Sequence, residues 1–422
     1  LTILNLQNIL LRDKKFVRAA AALWIAPVKS SARRAAALIS EHKTNIKGNV
    51  SLFSSPGRIE VVGNHTDHNG GMVVAAAVTV DSLAAVTKTN DNIITVKSKG
   101  YEDVSVDVTD LEIKPEEKGR SHSLVRGVVK GFRDRGYAVG GFTATTTSDV
   151  FKGAGMSSSA SFEVLISQIL NEFYNHCLIR PVERAIISQY AENVYFGKPS
   201  GLMDQSAIAL GGISFIDFKD EKFPVVKKLD FKFDGVSAVV INCGGDHSDL
   251  TKCYAEIKSD MEAVARFFGE KKLRSVDEKA FYSSFKQLYE ATGGRAVLRA
   301  KHFFDEDARV LALVKAVKRA DEAGFMKIIN ASGRSSSEYL KNLYPEGDGK
   351  MPVPFGLAAV EKMGVLASRV HGGGFAGTIL VFVKTADLKN FVNKANKIFG
   401  KENVYAVGIR KEGAAKILDI NI

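Results

Sequence analysis

The chain has 422 residues, enough for two domains with their own cores, and its 45% apolar and 25% charged content is that of a soluble globular protein. A formal net charge of +11 is carried by 58 Lys and Arg scattered along the chain. The absence of a basic tail or an aromatic-interleaved basic stripe speaks against a nucleic-acid partner.

Leu1 to Leu11 is largely apolar, but Arg12-Asp13-Lys14-Lys15 ends it well short of a membrane span. Residues 16 to 43, rich in Ala, Arg and Leu, carry the spacing of one or two amphipathic helices, with Trp24 as a core residue. The strand-like run of Ile59, Val61 and Val62 then enters a polar turn segment, Gly63-Asn64-His65-Thr66-Asp67-His68-Asn69-Gly70-Gly71. A second apolar run, Met72 to Val80, follows. A plain hairpin needs only about two to five loop residues, so His65, Asp67 and His68 are surplus to a turn. Short strands are expected at 84–86, 93–96 and 104–106, and a helix over Ser121 to Asp134.

Lys152-Gly-Ala-Gly-Met-Ser-Ser-Ser-Ala-Ser161 lies between a predicted strand, Phe142 to Thr147, and a strong helical stripe beginning at Phe162. Small residues at that junction let several backbone N–H groups converge on one anion, aided by the helix dipole. Ser157, Ser158 and Ser159 add hydroxyls for phosphate or metal, and the loop lacks the Gly-Lys-Ser/Thr ending of a Walker A motif. Ala191 to Gly212 places Glu192 near the end of one helical pattern and Asp204 near the start of another. Val236 to Asn242 reads as a strand and Tyr254 to Phe268, 296–323 and much of 325–344 as helix. Val370-His-Gly-Gly-Gly-Phe-Ala-Gly377 leads into a closing strand–helix–strand pattern, 378–383, 388–399 and 404–409. Cys177, Cys243 and Cys253, odd in number and without metal-type spacing, argue for buried or idle thiols in a reducing, cytoplasmic compartment. No repeat or low-complexity linker marks a domain boundary.

Together, Gly57-Arg-Ile-Glu-Val-Val-Gly-Asn-His-Thr-Asp-His-Asn-Gly-Gly71, the 152–161 loop, Gly201-Leu-Met-Asp-Gln205 and His371-Gly-Gly-Gly-Phe-Ala-Gly-Thr378 resemble the galactokinase branch of the GHMP kinases. The resemblance runs from about residue 50 to 410. It implies a mixed α/β (α+β) protein of two domains, 1–215 binding ATP and sugar and 216–422 completing the kinase. The first half would have a fold related to a ribosomal-protein domain and the second a ferredoxin-like fold. The implied reaction moves the γ-phosphoryl of ATP to the anomeric hydroxyl of galactose, with Mg²⁺, in a cytoplasmic monomer without membrane or nucleic-acid partners.

By the same resemblance Asp204 and Arg58 are catalytic; Asn64, His65, Asp67, Gly201 and Tyr254 bind the sugar; Gly153, Gly155, Ser157, Ser158 and Ser159 cradle ATP; and Ser159 and Glu192 face the metal. Four positions depart from the family pattern. Asn64 stands where Glu is usual, Glu60 where Asn is usual, His68 where Tyr is usual, and Ser121 where a Trp often lies beside the adenine. The change at Asn64 brings in galacturonate or another galactose-like sugar as an alternative substrate. A sugar sensor built on a silenced kinase is a further reading, opposed by the presence of Asp204, Arg58 and Ser159. A mevalonate or homoserine kinase would lack the Asn-His-Thr-Asp segment.

Overall fold

The computed structural model describes residues 2–45, 48–150, 155–220, 222–231, 233–245, 250–375 and 377–420. Three helices come first, α1 (Ile3–Arg12), α2 (Lys14–Leu23) and α3 (Val28–Asn45). A long hairpin follows, β1 (Val50–Val62) and β2 (Met72–Lys88), then β3 (Ile93–Ser98) and β4 (Val104–Asp107). Next come α4 (Ser121–Arg133), β5 (Phe142–Ser148), α5 (Ser158–Tyr174), α6 (Pro181–Tyr190), a π-helical turn (Ala191–Phe196) and α7 (Met203–Leu210). The chain then forms β6 (Ile213–Asp217), β7 (Val225–Leu229) and β8 (Val236–Asn242). A helical stretch follows: α8 (Thr251–Phe267), α9 (Glu278–Ser283), α10 (Phe285–Thr292), α11 (Gly294–Lys318) and α12 (Glu322–Ser335). The chain closes with α13 (Pro352–Glu361), β9 (Ala367–Val370), β10 (Thr378–Lys384), α14 (Leu388–Phe399), β11 (Val404–Val407) and β12 (Ala415–Ile420).

Among the described residues the larger sheet has the order β12-β1-β2-β5-β3-β4, with β6 and β7 added beside β2. Its pairings are antiparallel except β3 with β5. The sequence suggests two strands within 72–88, but β2 is continuous because each half has its own partner. Met72 to Ala76 pair with β6, and Ser82 to Lys88 pair with β5. The sheet is covered on both faces, which is why β1 is buried throughout instead of alternating. Phe53, Ala84 and Val86 face α4 and α5, whereas Leu52, Leu83 and Ala85 face α1–α3. Trp24 is core as expected, and its indole N–H donates to Asp81 Oδ2 at 2.9 Å.

The smaller sheet, β11-β8-β10-β9, is antiparallel. One face (Val239, Ile241, Ile379, Val381) packs on α13 and α14. The other (Val240, Leu380, Phe382) packs on α11 and α12 and on Ile59, Val61 and Val74 of the β1–β2 hairpin. A single core therefore joins the two halves at the base of the cleft. Sheet membership does not follow a cut at residue 215: β6 spans it, and β7 and β12 lie in the larger sheet. Residues 415–420 lie beyond the strands expected from the sequence, yet β12 pairs with β1 from Val50↔Ile420 to Ser54↔Ala415. Among the described residues no helix is long and apolar enough to cross a membrane.

Candidate active site

Two irregularities in the β1–β2 pairing, between Pro56 and Arg58 and between Glu60 and Val62, bracket the site-facing part of β1. Bulges re-aim side chains, and Pro56, unable to donate to a ladder, sits at the first one. The N–H of Arg58 leaves the ladder and donates to Met156 O at 3.2 Å, tying β1 to the loop before α5. Arg58 then reaches Asp204, at the start of α7, through two parallel hydrogen bonds: Nε to Oδ1 at 2.7 Å and Nη2 to Oδ2 at 2.9 Å. Its remaining Nη1 donates to Gly155 O, and the hydroxyl of Ser157 donates to Asp204 Oδ2. Burial alone would push Asp204 up, but the Arg58 charge and these bonds bring it below its ordinary value.

Ser157 is the residue before α5 and has a left-handed backbone (φ 61°). The first turn of α5 therefore presents the N–H groups of Ser158, Ser159 and Ala160, which no helical carbonyl can accept. Gly153 lies outside the described residues. In the same first turn, Ser159 Oγ donates to Glu192 Oε1 at 2.9 Å. Glu192 sits in the π-helical turn, a form that recurs at functional sites. A hydroxyl and one carboxylate, with phosphate oxygens completing the shell, suit a hard divalent cation that retains water. Lys198 Nζ already rests 2.9 Å from the same Glu192 oxygen, so the position attracts a cation. Ser159 and Glu192 fit Mg²⁺ by that donor set.

The segment after β1 is bound mainly to the other half of the protein. Gly63 and Asn64 donate their N–H groups to Glu306 Oε1 at 3.0 and 3.3 Å, and His302 Nε2–H donates to Asn64 O at 2.9 Å. Burial would push Glu306 up, but nearby Arg309 and Arg369 help to hold it down at about 2. Three successive carbonyls after β9 hold this segment and the neighbouring Tyr254 of α8. Gly372 O accepts from Asn64 Nδ2 at 2.7 Å, Gly373 O from His65 Nε2–H at 2.8 Å, and Gly374 O from the Tyr254 hydroxyl at 3.2 Å. These glycines work through their carbonyls as a clip, a role their sequence does not announce.

Asn64 and Glu60, read separately as two departures, are one hydrogen-bonded pair. Asn64 Nδ2 lies 2.9 and 3.1 Å from the two Glu60 oxygens, and Arg369 Nη2 donates to Glu60 Oε1 at 2.7 Å. Asn64 Oδ1 accepts from Asn342 Nδ2 at 2.8 Å and Ser336 Oγ at 3.3 Å. All donors of the Asn64 amide and both lone pairs of its oxygen are thus taken by protein groups. Asn64 therefore joins the two halves while lining the cleft, and the carboxylate of the pair comes from Glu60.

His65 is occupied on both nitrogens as well. With Nε2–H on Gly373, its Nδ1 is the acceptor, 3.4 Å from His68 Nε2, and His68 Nδ1 accepts from Asn69 Nδ2 at 2.9 Å. The relay requires both imidazoles to be neutral. Burial agrees, lowering His65 to about 4 and His68 well below its usual value. His68 therefore has a role that its position alone did not reveal. His65 also stacks on Tyr254 with ring centroids 6.2 Å apart, which fixes the Tyr254 ring at the cleft wall.

Asp67 also faces the cleft. Backbone N–H groups of His68 (2.9 Å, to Oδ1) and Met203 bond it, while burial, Asp204 and Glu60 push it up to about 7. Gly201 is required beside it: a Cβ there would lie 1.6 Å from Asp67 Oδ2. Gly201 acts by leaving room for Asp67, a contact invisible in sequence because 134 positions separate them. Arg58, Asp67, Ser157, Asp204 and Tyr254 line one cleft of about 1480 Å³. Ser121, Tyr101, Leu124, Phe162 and Phe196 line the same cleft.

Two family descriptions match within the chain, the galactokinase galactose-binding signature over residues 40–88 and the GHMP kinases N terminal domain over 123–212. The galactokinase of Clostridium beijerinckii is 31% identical over 376 residues, covering 87% of this chain and 95% of that protein. This chain belongs to the galactokinase family. The galactokinase of Fusobacterium nucleatum is 28% identical over 393 residues, 90% of this chain and 99% of its own length. The Lactococcus lactis galactokinase, solved in complex with galactose, superposes with a TM-score of 0.79 at 22% identity over 91% of this chain and 100% of that one. A mevalonate kinase structure superposes with a TM-score of 0.61 at 15% identity, over 86% of this chain and 99% of that one. The mixed α/β, two-domain GHMP kinase architecture is thereby shown. This galactokinase-family chain is a sugar 1-kinase that transfers phosphate to an alcohol group.

Proposed function

We propose that the substrate is galactose and the product galactose 1-phosphate, with MgATP as phosphoryl donor, in a cytoplasmic monomer. The observation carrying this reading is the bidentate Arg58–Asp204 pair, 2.7 and 2.9 Å, in the same cleft as Asp67 and the start of α5. Phosphoryl transfer depends mainly on positioning and charge neutralisation, and this arrangement supplies both.

In this mechanism the anomeric hydroxyl donates to Asp204. The new O–P bond forms to the γ-phosphorus as the bond to the β-phosphate oxygen breaks, and the proton leaves the hydroxyl for Asp204 as ADP departs. A carboxylate held below its ordinary value is a weak base, so Asp204 orients the hydroxyl and takes its proton late. Arg58 keeps Asp204 ionised and balances charge on the moving group. The N–H groups of Ser158 and Ser159 receive phosphate oxygens, while the Ser157 hydroxyl stays on Asp204. Ser159 and Glu192 would hold Mg²⁺, which neutralises phosphate charge when bound. Asp67 and Tyr254 meet the ring hydroxyls, with His65 setting the Tyr254 ring.

Galactose is favoured over galacturonate because the cleft keeps two acids at its sugar end, Glu60 and Asp67, which oppose a third carboxylate. A coupled ADP-release assay over galactose, galacturonate, arabinose, galactosamine, N-acetylgalactosamine and glucose tests this. Galactose should give the highest kcat/KM, and a galacturonate preference would reverse the assignment. Turnover with no sugar in the panel would remove the kinase reading and restore the sensor.

A further inference from the structure

Glu192 has its acceptor sites filled by four protein groups. Oε1 takes Ser159 Oγ and Lys198 Nζ, both at 2.9 Å, while Oε2 takes Ser200 Oγ and Gln205 Nε2, both at 2.8 Å. A divalent cation joining this carboxylate must displace one of them. Gln205 is fully buried and also bonded to Glu163 Oε2 at 3.2 Å, so it is fixed. Ser159 is itself one of the metal-facing groups. Ser200 Oγ is neutral, sets no charge against a cation and also reaches Asn193 Oδ1 at 3.1 Å. Lys198 differs from all three: it is charged, long, and its side chain is 51% exposed. Gly197, at φ +82°, ends the π-helical turn, and Lys198 N then donates back to Glu192 O at 3.1 Å. The chain thus reverses so that the ammonium meets the carboxylate six residues earlier. Lys198 lines the same cleft as Ser157, Ser158, Ser159 and Asp204.

We propose that Lys198 is a displaceable cation, which holds Glu192 in the nucleotide-free protein, yields it to the divalent cation arriving with ATP, and turns its ammonium onto the phosphates. The inference rests on the reading of Ser159 and Glu192 as the metal-facing pair. An ammonium and a divalent ion cannot share one carboxylate oxygen without strong repulsion. A released lysine on a flexible four-carbon stem can follow the charge to a phosphate oxygen within the same cleft.

The test uses Mn²⁺ as probe, titrated by electron paramagnetic resonance into protein saturated with a non-hydrolysable ATP analogue. Lys198→Met removes the competing charge and should tighten Mn²⁺ roughly fivefold or more. It should also lower kcat roughly tenfold or more at saturating Mg²⁺, while galactose affinity by calorimetry stays unchanged. Glu192→Gln should move Mn²⁺ in the opposite direction. Weaker Mn²⁺ in Glu192→Gln with unaltered or weaker Mn²⁺ in Lys198→Met overturns the Lys198 proposal and leaves the metal pair standing. Unaltered Mn²⁺ in Glu192→Gln overturns the metal pair itself. Tighter Mn²⁺ with normal kcat in Lys198→Met contradicts the turn onto phosphate. Lys198→Gln provides the same comparison if the Met variant folds poorly.

Discussion

At the phosphate end of the cleft, Asp204 is clamped by a guanidinium through two hydrogen bonds and by the Ser157 hydroxyl, and it lies below its ordinary pKa. At the sugar end, Asp67 is bonded by backbone N–H groups of His68 and Met203. Burial and two neighbouring acids raise it to about 7. The same side chain in one cleft is thus a permanent anion at one end and a titrating group at the other. What separates them is the placement of arginine. Arg58 is aimed at Asp204 by the β1 bulges, while Arg369, a cation near the segment after β1, is bonded to Glu60 at 2.7 Å. In the proposed mechanism Asp204 holds a hydroxyl at any physiological pH, whereas Asp67 relies on sugar hydroxyls to favour its charged form.

The largest effect is expected at the clamped acid. Asp204→Asn should lower turnover roughly a hundredfold to ten-thousandfold while galactose binding remains measurable by calorimetry. Near-normal turnover would exclude Asp204 from the mechanism. The next probes Asp67 indirectly: Gly201→Ala places a Cβ where Asp67 Oδ2 now sits, 1.6 Å away. Galactose affinity should fall roughly 10- to 100-fold, with binding of the ATP analogue unaffected. Normal galactose affinity in this variant would detach Asp67 from the sugar.

A third prediction concerns the Glu60–Asn64 pair. Asn64→Glu alone sets two carboxylates against each other in a buried site, where hydrogen bonds of 2.9 and 3.1 Å now stand. It should cost about 3 kcal/mol of stability, read from denaturant unfolding. The double change Glu60→Asn with Asn64→Glu restores the family's usual order and should recover most of that loss. Strict additivity of the two single changes would show that the residues are not coupled.

That pair also shows where sequence reading stopped. Both departures were visible, but a hydrogen bond between residues four apart across a strand end and turn leaves no periodic signal. Local stretches were legible because each motif is contiguous and carries distinctive chemistry: the strand before Asn64, the serine-rich start of α5, and the helix after Gly201-Leu-Met-Asp. The closing β8 and β10 were also readable from apolar runs that the structure buries. Contacts made by backbone atoms were not legible. The carbonyls of Gly372, Gly373 and Gly374 hold Asn64, His65 and Tyr254, and nothing in a glycine run names its partners. The commitment of His65 to His68 and Gly373 was hidden likewise, since a histidine in a sugar signature looks the same whether it meets sugar or protein.

A smaller effect follows from pH. Between about pH 4 and pH 7 the folded, sugar-free protein retains a proton on Asp67 that the unfolded chain has released. The contribution of Asp67 to the stability of the sugar-free protein should therefore decline as pH rises through that window, read as the difference between wild type and Asp67→Asn. Thermal melts of both proteins at pH 5, 6 and 7 check the sign; parallel curves would contradict it.

The most direct measurement of the contrast between the two aspartates is galactose affinity against pH, by calorimetry without nucleotide, in the wild type and in Asp204→Asn. Galactose should bind more weakly as pH falls through about 7 in the wild type, because Asp67 takes up a proton there. In Asp204→Asn, loss of the neighbouring negative charge should move that transition to lower pH. A pH-independent affinity, or a transition that stays in place in Asp204→Asn, would contradict the account.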